Sequence, residues 1–151
     1  MMTTNPSIVS TLNGLIEACK DGQKGFRAAA ENVRNQDFQL LFSDLSTQRQ
    51  HFVRELKRLA VNFGGSAETH GSFSAALHRG WMNLKAVVSS GDDRALLAEC
   101  ERGEDAAVAD YREALKHDEF PPMVREVIQH QAMGVQAAHD RVHNLRDHIR
   151  D

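Results

Sequence analysis

The chain has 151 residues, with 18 basic and 21 acidic side chains, a net charge near −3 and a hydrophobic fraction of 41%. That makeup suits one soluble globular domain, read here as spanning residues 1–151, long enough to bury a core without disulfide staples. No block of like charge points to nucleic acid or an anionic membrane surface, and three prolines with a single tyrosine argue against a sheet-rich fold.

The opening MMTTNPSIVSTLNGLIEACK lacks a basic start followed by an apolar run, so no signal peptide is expected. No stretch approaches the roughly 18 apolar residues of a membrane span. A cytoplasmic location is the resulting expectation, with Cys19 and Cys100 as free thiols.

In chain order, Pro6 sits at an early helix position with Asn5 as its cap. Ile8, Leu12, Leu15, Cys19, Gly22, Phe26, Ala29 and Val33 then recur at steps of four and three. This is a bundle-type seam and predicts a helix over about 7–33. NVRNQD breaks it. Phe38, Phe42, Leu45, Phe52, Leu56, Leu59 and Phe63 form the stripe of a second helix, about 36–63, interrupted by Arg49 and ended by Gly64 and Gly65. GGSAETHGS (64–72) reads as a loop.

A shorter helix, about 73–89, shows Phe73, Leu77, Trp81, Leu84 and Val88 on one face. SSGDD closes it, and Asp92 or Asp93 caps a helix over about 93–117. Within that helix, LAECERGEDAAVADY places Glu104 in the middle of a stripe made by Leu97, Val108, Tyr111 and Leu115. Pro121 and Pro122 open the last helix, about 121–149, with Val124, Ile128, Val135, Ala138, Val142, Leu145 and Ile149 inward.

The fold expected is therefore all-α. Tight turns join the first two long helices and the last two, while about 30 residues, including the short helix, lie between the pairs. Such a connection carries the chain from one end of a bundle to the other. That is the ferritin-like four-helix connectivity, with a short fifth helix in the crossover between the second and third long helices. EACKDGQ and AECERGE also match at an offset of 81, aligning Cys19 with Cys100, Gly22 with Gly103 and Gln23 with Glu104. The match reads either as an old duplication or as small residues that let helices pack closely.

LIEACKDGQKGF, SFSAALHRGWMNLK, LLAECERGEDAAVADYREAL and VQAAHDRVHNLRD resemble, in order and spacing, a family of uncharacterised bacterial proteins grouped with the ferritin-like bundles. The resemblance spans roughly residues 10–147 and is most specific around His78–Trp81 and Gly103–Asp105. It implies the bundle fold and a stress-related bacterial role, and brings no settled activity. It also raises the question of a di-metal centre.

Such a centre takes a Glu from each of two helices and a Glu-x-x-His from each of the others. The candidates are Gln23 and Glu104 for the lone positions, and Gln48–His51 and Gln136–His139 for the tetrads. Glutamine stands where most of the carboxylates belong, and one negative charge cannot offset two metal ions in a dry core. At 100° per residue, His51 and Gln136 fall about 125–130° from their stripe centres and His139 about 70°, whereas Glu104 is within about 20°.

A second constellation suits the helical wheels better. Each long helix carries one polar residue in or beside its seam: Gln23, Arg49, Glu104 and Gln131. These predict a buried polar layer in which Arg49 pairs with Glu104 and the amides complete the hydrogen bonds. Alternatively, Arg49 reaches outward and Glu104 bonds Tyr111 or water. Trp81 reads as the anchor of the crossover helix. His78 is a ligand or partner contact, or a surface histidine. Near the helix ends, His117 and His148 suit the dipole as cations.

The leading expectation is a non-catalytic structural or interaction protein, homo-oligomeric and without cofactor. The alternative is an iron- or manganese-binding protein using Glu104 and His139, with Gln48 and His51 as weaker ligands. A third possibility, a thiol redox switch, requires Cys19 and Cys100 to meet.

Overall fold

The apolar stripes are realised as five α-helices in a computed structural model, which describes residues 6–65 and 80–149. They are α1 (Pro6–Asn32), α2 (Gln36–Asn62), α3 (Leu84–Ser90), α4 (Asp93–Ala114) and α5 (Pro122–His148). No strand occurs among the described residues.

The ends follow local chemistry. Asn35 caps α2, its side chain accepting from the Phe38 N–H at 3.1 Å. Asp92 caps α4 by accepting from the Arg94 and Ala95 N–H groups. Its neighbour Asp93 turns to the other helix pair and accepts from the backbone N–H of Arg34 (2.8 Å) and Asn35 (3.1 Å). The α1–α2 turn is thereby clamped to the start of α4. Pro121 and Pro122 open α5, where a missing N–H costs no intrahelical bond. The proposed Asn5 cap lies outside the described residues.

Every seam residue read from α1 is buried: Ile8, Leu12, Leu15, Cys19, Gly22, Phe26, Ala29 and Val33. Two elements differ from expectation. Helix α4 stops at Ala114, three residues early, because Lys116 and His117 donate to carbonyls three residues back in a tightened last turn. Of the crossover helix expected over 73–89, residues 80–83 are non-helical and Leu84–Ser90 is helical. Phe73, Leu77 and His78 lie outside the described residues.

Helix α1 packs on α2 and α4, α5 packs on α4, and α2 packs more lightly on α5. Gly65, just past α2, lies beside Val9 at the start of α1, and Asp93 lies at the far end of α1. Helices α2 and α4 therefore run in the same direction: the chain leaves α2 at one end of the bundle and enters α4 at the other, a return of which residues 80–92 are described.

Trp81 holds the end of that return. It is 3% exposed, and its indole is wedged between α1 and α4 where both helices carry glycine. A Cβ at Gly25 would lie 2.4 Å from the ring, and one at Gly103 would lie 2.1 Å from it. Phe26 meets the indole edge-on at 5.3 Å. Gly80 has φ +59° and rests its backbone on Gly103, where a Cβ would come within 2.6 Å of the Gly103 Cα. Gly103 is thus explained by close approach, the second of the two readings of the sequence echo. Its structural counterpart on α1 is Gly25, whereas Gly22 makes room for Arg49.

Two substitutions test the wedge. Gly103→Ala should lower stability by about 1–3 kcal/mol, as an added methyl does in a packed site. Gly14→Ala, with open space around its Cβ, should raise it by about 0.5–1 kcal/mol. Urea midpoints measure both, and a neutral Gly103→Ala would show that the indole is not confined.

Candidate functional site

The α2 stripe brings Arg49 inward, and the α4 stripe brings Glu104 to meet it. Both residues are fully buried, at 0% exposure. The guanidinium donates in parallel, Nη1 to Oε1 at 2.6 Å and Nη2 to Oε2 at 2.5 Å. This fork geometry is the strongest hydrogen-bonding arrangement open to a carboxylate. Arg49 Nε donates to Gln48 Oε1 at 3.2 Å, and the guanidinium carbon sits 5.4 Å from the Phe26 ring centre. Burial disfavours the arginine charge, but Glu104 outweighs it and the Arg49 pKa is held above its ordinary value. The pair is ionic.

A second polar chain lies beside it. Tyr111 on α4 donates its phenolic proton to Gln131 Oε1 on α5 at 2.6 Å. Gln131 Nε2 donates to Glu55 Oε1 (2.9 Å) and to the Phe52 carbonyl (3.4 Å) on α2. Cys19 Sγ is 3.1 Å from the phenol oxygen, and since that oxygen has already given its one proton, the thiol is the donor. Burial raises the tyrosine pKa, with Cys19 adding to the effect.

Of the four residues expected in a central layer, Arg49 and Glu104 form the ion pair, and Gln131 joins the phenol chain. Gln23 does not take part. It is half-buried, and its contribution is a backbone carbonyl that accepts from Ser46 Oγ at 2.9 Å. Gly22 is the α1 residue facing Arg49, so α1 supplies space at this level. Tyr111 and Cys19 fill the places given to the amide. Tyr111 was visible as a stripe residue, but a phenol in an apolar stripe reads as packing until its partner is known.

The metal candidates separate. Glu104 is engaged by Arg49. Gln48 is half-buried and bonded to Arg49, while His51 is exposed on an open groove of about 620 Å³ between α2 and α5. His139 lies between α4 and α5, held by Asp105 and Asp140. Gln136 is exposed and donates to Asp140. The interior donors around Glu104 are a guanidinium, an amide and a phenol, and these do not fit a carboxylate-bridged di-metal centre.

Sequence reasoning missed Glu99. It is completely buried on α4, accepts from the Asn83 N–H at 2.9 Å, and pairs through its other oxygen with Arg102. It closes the turn that presents Trp81. Glu99 lies off the main α4 stripe, and only the returning chain buries it, so periodicity carried no signal.

The two thiols are far apart. Cys19 is level with Tyr111, and Cys100 is eleven residues earlier on α4, about 16 Å along the axis. Burial raises the Cys19 pKa to about 11, Arg49 offsetting part of the effect. Burial also raises Cys100, with Glu104 and Glu99 adding to it.

Three measurements follow. Glu104→Leu alone should cost about 3–5 kcal/mol in urea unfolding, because it strands a buried guanidinium. Adding Arg49→Met should recover most of that loss, and strictly additive losses would show that the two groups do not act as a pair. At pH 8 both cysteines should react with an aromatic disulfide reagent only as fast as the protein opens. A Cys19–Cys100 disulfide recovered from folded protein would contradict the helix register.

A family model described as a domain of unknown function, DUF2383, matches residues 7–117, from α1 to the turn after α4. Comparison with curated proteins gives no match. Because the matched span covers the ion pair, the Trp81 wedge and most of the chain, the protein belongs to the DUF2383 family.

Proposed function

We propose that this protein is a ferritin-like bundle that has given up interior metal chemistry and acts as a structural or interaction module. The carrying observation is the fully buried Arg49–Glu104 pair. It puts a neutralised, bidentate ion pair where two metals would need several carboxylates. The parallel course of α2 and α4, which needs a long crossover, supports the ferritin-like reading. Gln131, Tyr111 and Cys19 form a second chain beside the pair in which phenol, amide and thiol satisfy one another.

No helix among the described residues is long and apolar enough to cross a membrane. A cytoplasmic, homo-oligomeric protein in a bacterial stress setting is the physiological frame of the proposal, the setting resting on the resemblance in sequence. Among the described residues the large exposed apolar side chains are Leu40 and Val61 on α2, Met82 before α3, and Met123 and Met133 on α5, well separated along their helices, so self-association would use a modest contact.

The reading is tested by adding ferrous iron aerobically to the full chain and following ferric formation by absorbance. Oxidation should not exceed the buffer rate. Turnover that Glu104→Gln abolishes would overturn the proposal and restore an iron- or manganese-binding interior.

A further inference from the structure

We propose that the α4–α5 face is a binding site for one divalent transition-metal ion of the zinc type, held by Glu101, Asp105 and His139, with His143 standing beside Glu101. This goes beyond the reading of the interior, since the four residues lie outside the core and share no partner with Glu104.

The placement begins with spacing. Glu101 and Asp105 are four residues apart on α4, and His139 and His143 are four apart on α5, so each pair shares one helix face. The helices run antiparallel, which sets Glu101 level with His143 and Asp105 level with His139. Glu101 Oε2 is 2.9 Å from His143 Nδ1, and Asp105 Oδ1 is 2.6 Å from His139 Nε2. One donor atom each from Glu101, Asp105 and His139 lie within 4.8 Å of one another. The two imidazoles stack nearly parallel, 6.2 Å apart at 5°.

Proton counting turns this ladder into a site. Each imidazole is flanked by two carboxylates. His139 lies between Asp105 and, through Nδ1, Asp140 at 3.1 Å. His143 lies between Glu101 and, through Nε2, Asp147 at 3.1 Å. A neutral imidazole has one N–H and can satisfy only one of its two neighbours. The other nitrogen then presents a lone pair to a carboxylate. Either a second proton or a metal ion relieves that repulsion.

With a metal on His139 Nε2, the Nδ1–H group remains bonded to Asp140. That is the carboxylate–histidine support common around bound metals. Gln136 Nε2 steadies Asp140 from behind at 3.0 Å. An imidazole with two carboxylates suits zinc, cobalt or copper better than magnesium or calcium. Four carboxylates face one competing cation, Arg146, whose Nε is 3.1 Å from Glu101 Oε1. His139 and His143 both have raised pKa values. At His139 burial opposes the bonds to Asp140 and Asp105, and at His143 the bond to Glu101 leads. Protons therefore compete with the ion, and binding should weaken as pH falls through the histidine range.

The test uses the full chain, stripped with a chelator and titrated with Co²⁺, whose visible absorption reports coordination, followed by Zn²⁺ competition. One Co²⁺ per chain should bind and be displaced by Zn²⁺. His139→Gln and Asp105→Asn should each remove binding or weaken it at least tenfold, and Asp140→Asn should weaken it about 10–100-fold. His51→Gln and His130→Gln should leave it unchanged. Far-UV circular dichroism checks that the variants are folded. No saturable binding, or binding lost with His51→Gln and kept with His139→Gln, would overturn the site. Either failure would leave the iron-oxidation test of the interior standing.

Discussion

The Arg49–Glu104 pair is the constraint on which the bundle depends. Apolar residues cluster on either side of it. One cluster holds Leu12, Leu15, Phe52, Leu56, Tyr111 and Ile128; the other holds Phe26, Phe42, Leu45, Leu97, Cys100 and Val142. An apolar seam by itself tolerates sliding by a turn, because one Leu replaces another. A bidentate ion pair in a dry interior tolerates no such slip, since a displaced register strands two charges at once. The pair thus fixes α2 against α4, and Gly22 opens the space on α1 that lets the guanidinium lie flat.

The crossover is secured by different physics. Trp81 reaches between α1 and α4 only because Gly25 and Gly103 remove the side chains that would block it. Glu99 completes the arrangement from α4 by accepting the Asn83 N–H and pairing with Arg102. At the end of the bundle where α4 begins, Asp93 ties the α1–α2 turn to α4. Shape, hydrogen bonding and charge therefore meet within a few turns of α4, and the polar groups involved are satisfied locally. That economy explains how a helix accommodates a mid-stripe carboxylate, with Arg49 as its counter-charge.

The polar residues of α4 and α5 divide into two populations with different environments. Those turned inward are paired to exhaustion, with charges matched and the phenol, thiol and amide linked donor to acceptor. Those at the α4–α5 seam are over-supplied with acceptors: two imidazoles stand among four carboxylates. Low dielectric forces the first arrangement, because an unmatched group there is costly. Partial solvation permits the second, and with it an affinity for protons or cations.

Sequence by itself determined the helices, their inward faces and the two polar residues that interrupt the α2 and α4 stripes. These depend on period, caps and glycines, all of which are local. A cap at Asp92 or Asp93, Gly64 beyond α2 and the inward seam of α1 needed no partner to be read. Only the tertiary structure decided which polar groups meet. Gln23 matched Glu104 in the sequence echo yet stands aside, because Gly22 is what faces Arg49. Glu99 lies off the α4 stripe and is buried, with the turn at Asn83 bonded to it. His139 sat at a helix flank in both descriptions, but its pairing with Asp105 arises from the register of two antiparallel helices, which no single helix encodes.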